Sequence, residues 1–118
     1  MTTSLLTTPT LSTLLEGQVS SEITGGLLTM IPRDTSLRNV YVKGNTAYID
    51  FSDEFRFNSL GPLGLSAQVK QVVYTATEFS NVREVQILIE GELIEYLSSE
   101  GPFIGEPLSR ERLMESTT

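Results

Sequence analysis

Apolar positions near the start of the chain fall at helical spacing. Leu11, Leu14 and Leu15 recur at i, i+3 and i+4, the stripe of a short amphipathic helix. Thr8 offers an N-cap hydroxyl, Pro9 suits the first helical position, and Gly17 suits the residue just past a helix end. The pattern therefore predicts a helix bounded by Thr8 and Gly17. Gln18 to Gly26 is polar and glycine-rich and reads as a loop. Leu27, Leu28, Met30 and Ile31 form an apolar run halted by Pro32, an extended or single-turn segment against the core.

A hairpin follows. Ser36 to Lys43 and Thr46 to Phe51 are both β-rich, and Gly44-Asn45 between them suits a two-residue turn with glycine at positive φ. Pairing across that turn sets Val42 opposite Ala47, Tyr41 opposite Tyr48, and Val40 opposite Ile49. Alternation then sends Val40, Val42, Ala47, Ile49 and Phe51 toward a core. Asn39, Tyr41, Lys43, Tyr48 and Asp50 take the other face.

Leu65, Val69, Val72, Val73 and Ala76 mark a second helical stripe, predicting a helix from Leu65 to Phe79 with Asn81 as a left-handed terminator. Glu84 to Ile89 is a third strand with Val85, Ile87 and Ile89 inward, and Gly91-Glu92 turns it into a short fourth strand, Leu93 to Leu97. The tail from Ser98 to Thr118 is polar and Gly/Pro-punctuated, except for Phe103, Ile104 and Leu108, which tack it onto the domain. The predicted order is α-β-β-α-β(-β). It describes an α+β, two-layer domain with two helices on one face of a three- or four-stranded antiparallel sheet. The domain spans residues 8–97, and 98–118 form a partly packed polar tail.

At 118 residues this is a single domain, large enough to fold without a metal or disulfide. The net charge of -7 repels phosphate backbones and argues against nucleic acid as a partner. Nine of the 15 acidic residues lie beyond residue 60, opposed there only by Lys70, Arg83, Arg110 and Arg112, which reads as a solvated acidic face. The chain has neither histidine nor cysteine, which removes His-based triads, thiolate nucleophiles, zinc fingers and dithiol redox chemistry. A binding or assembly module is favoured over an enzyme, with no cofactor. No segment is long and apolar enough to span a bilayer, and the first residues lack the pattern of a secretory signal.

Three constellations are candidates for chemistry. Asp50, Asp53 and Glu54 cluster at a strand end, but their spacing matches no EF-hand loop and suits capping of a turn. Glu90, Glu92 and Glu95 surround a turn rather than a cleft, so an acid–base pair is not expected from them. Gly61-Pro62-Leu63-Gly64 lacks the Lys-Ser/Thr of a phosphate loop. Tyr41 and Tyr48 on the uncovered sheet face, beside Leu88, are more informative. Such a cross-strand pair steadies a hairpin by about 0.2–1 kcal/mol, and it also supplies a contact patch.

Taken together, several runs resemble one known family. They are Gly26-Leu27-Leu28-Thr29-Met30-Ile31-Pro32, Val40-Tyr41-Val42, Gly44 through Ser52, Gln71 through Phe79, and Val85 through Gly91. In that order and spacing they resemble the GerMN domain of sporulation and germination lipoproteins. Glu54-Phe55-Arg56-Phe57-Asn58 and Ile104 through Arg110 are similar to its spirochaete branch. The resemblance implies a fold like the ring-building motif of secretion-system scaffolds, no enzymatic activity, and an extracytoplasmic place in the cell envelope. The membrane would be reached only through an anchor this chain lacks. The family's usual strand before the first helix has only Met1 to Thr7 to draw on here, which would leave a sheet edge unpaired. The resulting expectation is a non-catalytic envelope domain that assembles or positions a complex, with a protein partner or a second copy on Tyr41, Tyr48 and Leu88. The alternative is a module binding cell-wall glycan or peptide, that is, peptidoglycan.

Overall fold

The computed structural model describes residues 11–31, 34–79, 81–99 and 101–116, with side chains from Gly17 to Leu113. The elements are α1 (Leu11–Leu28), β1 (Leu37–Lys43), β2 (Thr46–Phe51), a 3-10 turn (Asp53–Arg56), α2 (Gly61–Ala76), β3 (Glu84–Ile89) and α3 (Arg110–Ser116). The order α-β-β-α-β is the one the sequence predicts. Thr8 and Pro9 lie outside the described residues.

The hairpin matches its prediction in register. Val42 faces Ala47, Tyr41 faces Tyr48 and Val40 faces Ile49. The Gly44 φ is +64°, the conformation for which the turn needs glycine. An irregularity between Leu37 and Asn39 shifts the register, and pairing resumes at Leu37–Phe51.

The sheet is mixed, not antiparallel. Its order is β1-β2-β3, with β1–β2 antiparallel and β2–β3 parallel. The reason is the connection. The chain leaves β2, crosses back through α2 to the end where β2 began, and re-enters the sheet beside β2, so the two strands run parallel.

α1 differs most from expectation. It runs through Gly17 and through the segment 18–26 that reads as a loop, ending at Leu28. Ile23 and Leu27 are fully buried and Val19 is half-buried, a stripe at spacing four. A Cβ at Gly17 would meet nothing within 4 Å, so that glycine faces open space and weakens the helix without ending it. A Cβ at Gly26 would lie 3.1 Å from the Thr75 methyl, so glycine there permits the close approach of α1 to α2. After Leu28 the chain turns off through Met30 and Ile31, whose N–H groups both donate to the Leu27 carbonyl.

α2 begins four residues earlier than predicted, with Pro62 near its start, and buries Leu65, Val69, Val72, Val73 and Ala76. It ends at Ala76 rather than Phe79. Asn81 is not left-handed; among described non-glycine residues only Glu90 has a positive φ, of 53°. The fourth strand over Leu93–Leu97 is not formed. Glu92 instead bridges Ile89, and Tyr96 bridges Phe103.

The tail closes one side of the sheet. Leu108 exchanges two backbone hydrogen bonds of 2.8 Å with Val85, along the outer edge of β3. Ile104 and Leu108 are buried in the common core with Leu97. The start of α3 is held by Arg110. Its guanidinium lies 4.5 Å from the Tyr74 ring centre, and it donates to Thr77 Oγ1, the Tyr74 carbonyl and Glu78.

Candidate functional site

The face of the sheet opposite the helices is built in rows set by the strand registers. One row is Tyr41, Tyr48 and Gln86; the next is Asn39, Asp50 and Leu88. The two-residue turn makes Lys43/Thr46, and hence Tyr41/Tyr48, hydrogen-bonded pairs. Their rings stack with centres 4.8 Å apart and an angle of 10° between planes. Tyr41 is 43% exposed and Tyr48 half-buried. Leu88 is half-buried and stands in the next row beside Asp50, diagonal to Tyr48 rather than against the rings. The structure thus joins the two tyrosines and leaves Leu88 at the margin.

This face is less open than alternation implies. Gln86 is buried, donating from Nε2 to the Ile104 carbonyl at 2.9 Å, so the tail covers the β3 side. Asp50 is also buried rather than exposed. Its carboxylate accepts the Gly91 N–H at 2.9 Å and lies 3.5 Å from Arg38. The open part is therefore β1 and the neighbouring half of β2. There Val40 and Val42 occupy the non-hydrogen-bonded positions toward β2, so their backbone groups point to the outer edge of β1. No described strand pairs that edge.

The carboxylates considered for metal or acid–base work have other duties. Asp53 pairs with Arg56 at 3.4 Å, and its N–H donates to Glu90. Glu90 also lies 3.8 Å from Arg38. Glu54 is held below its ordinary carboxylate pKa by the Ser52 hydroxyl, aided by its own backbone N–H. Among the described residues, no group of acidic side chains converges as metal ligands would.

Two features escaped the sequence reading. Gln68, on the inward side of α2, donates to the Phe55 carbonyl and accepts from Asn58 Nδ2, while Asn58 Oδ1 accepts the Leu60 N–H. Gly64 leaves no room for a Cβ against Asn58. This bracket fixes the loop and the first turn of α2, on which Phe57, Leu60 and Leu63 stand 67%, 76% and 84% exposed, a second apolar surface apart from the tyrosines. The signal was available: no charge falls between Arg56 and Lys70.

The family model Germane, sporulation and spore germination, matches residues 2–95. The chain belongs to this family. It is 30% identical over 95 residues to the spore germination protein GerM of Bacillus subtilis (strain 168), covering 80% of this chain and 25% of GerM. It thus spans about a quarter of that relative. The first GerMN domain of Bacillus subtilis GerM superposes with a TM-score of 0.59 at 32% identity, covering 69% of this chain and 59% of that one. The tandem GerMN domains of the same protein give 0.58 at 25% identity, with 87% and 39% covered. A Clostridium perfringens protein described as a lipoprotein gives 0.67 at 20% identity, with 81% and 69% covered, a likeness of fold. The GerMN domain expected from the quoted runs is thereby shown, and the hairpin bearing Tyr41 and Tyr48 lies within the matched residues.

Proposed function

We propose that this Germane-family chain is a non-catalytic, extracytoplasmic domain that assembles or positions a protein complex of the cell envelope. It does so through the β1–β2 face, with the β1 edge, which no described strand pairs, extending the surface. The observation that carries this reading is the stacked Tyr41–Tyr48 pair, half-exposed on a sheet whose other edge is sealed by the tail. Paired aromatics on a rigid surface are the side chains that dominate interface energies, and an open strand edge accepts a further strand through backbone hydrogen bonds. The lack of histidine and cysteine and the engagement of Asp50, Asp53 and Glu90 in ion pairs support a non-catalytic role. The envelope location is supported by relatives described as a lipoprotein and a spore germination protein.

A second reading, binding of wall glycan, is favoured by the same flat ring pair, since stacked tyrosines suit the apolar face of a sugar. Sedimentation across a concentration series and pull-down on purified peptidoglycan separate the two. On the first reading the wild-type chain associates with itself or an envelope protein, and Tyr41→Ser/Tyr48→Ser does not. Retention on the wall alone, lost in the same variant, would favour the second. Association undiminished in the variant would refute both.

A further inference from the structure

A cleft of about 500 Å³ opens between α2, the segment around Phe103 and α3. That is within the roughly 300–1,000 Å³ range of small-molecule sites. Buried Val69 and Leu108 and half-buried Phe103 and Leu113 give it an apolar lining. Among the described residues its charged lining is cationic, Lys70 and Arg112, on a chain whose net charge is -7. Arg112 is anchored through Nη2 to Glu106 at 2.9 Å, which uses one of its five N–H donors. Lys70 is exposed and has no ion-pair partner among the described residues.

An apolar trough with two cations at its rim matches one ligand chemistry. We propose that this cleft binds an anionic amphiphile, a carboxylate on an aliphatic chain, with the carboxylate at Lys70 and Arg112 and the chain along Val69, Leu108 and Leu113. A peptide is a poorer occupant. Among the described residues Ser66 is the one polar uncharged side chain in the lining, so buried peptide amides would lack partners there. This site is separate from the β1–β2 face and does not depend on the reading of that face.

Sodium laurate below its micellar concentration, titrated into the full chain and followed by amide chemical shifts, tests the proposal. Saturable shifts at Ser66, Lys70, Phe103, Leu108 and Leu113 are expected, with none from acetate and little from dodecyltrimethylammonium. Lys70→Glu should weaken laurate about tenfold or more, the scale of a hydrogen bond to a charged group. Lys70→Arg should leave it near wild type, and Ala67→Trp should block the cleft. Both positions are exposed, and thermal melts of the variants verify that the fold is kept. Equal binding of the cationic surfactant, shifts centred on Phe57, Leu60 and Leu63, or no saturable shift would each overturn the proposal.

Discussion

The hairpin and α1 are neighbours in the core, yet they are specified in opposite ways. In the hairpin, a two-residue turn with Gly44 at positive φ sets the register, and strict alternation sets the faces, so every pairing from Val40 to Ile49 follows from local sequence. In α1, Gly17, Gly25 and Gly26 lower helix propensity within a single element, and little local signal favours helix between residues 18 and 26. Its helicity is held instead by burial of Ile23 and Leu27 and by the close approach that Gly26 allows to α2. Local chemistry fixes the first element and tertiary packing the second.

Substitutions can break or sharpen that contrast. The largest effect is expected at Ile87→Asp on β3, beside the hairpin. A buried unpaired carboxylate costs several kcal/mol against a total stability of about 5–15, so the variant should be unfolded by circular dichroism. In α1, Ile23→Ala should cost about 2–5 kcal/mol in urea titration, because packing is what holds this helix. Tyr41→Ser/Tyr48→Ser should cost only about 1–2 kcal/mol in the same titration, since the turn still sets the register. Gly17→Ala should go the other way and stabilise by up to about 1 kcal/mol, as its Cβ would meet open space within a helix. A loss there would mean that α1 ends where the glycine suggests.

The smallest effect concerns Glu54. Its folded-state pKa is lowered by Ser52, so its charged form contributes stability above the unfolded carboxylate pKa. That contribution disappears as pH falls through the lowered folded value. Glu54→Gln should therefore be slightly less stable than wild type near neutral pH, with the difference closing on acidification. A pH series of thermal melts checks the sign.

Legibility followed the same division. Strands with period-two alternation and the α2 stripe were readable because their side chains report the buried face directly. The parallel pairing of β3 is compatible with the β2–α2–β3 order, since parallel neighbours need such a crossover, but the order alone does not say at which end of the sheet the chain re-enters. Val19, Ile23 and Leu27 at spacing four were the missed signal for α1, masked by the glycines around them. At the site, the Tyr41–Tyr48 pairing was legible from the turn. The burial of Asp50 and Gln86 was not, because it depends on Gly91 and Ile104, which reach the sheet from distant parts of the chain, and on Arg38 beside the irregularity in β1.

The proposed assembly role of the β1–β2 face is tested most directly by site-specific photo-cross-linking in cells that make this protein, with a benzoylphenylalanine at position 41 or, for comparison, at exposed Gln71 on α2. The account predicts a discrete protein adduct from position 41, a second copy or one defined partner by mass spectrometry, lost when Tyr48→Ser is added. It predicts none from position 71. Adducts from position 71 with none from position 41, or adducts of position 41 with wall glycan alone, would contradict it.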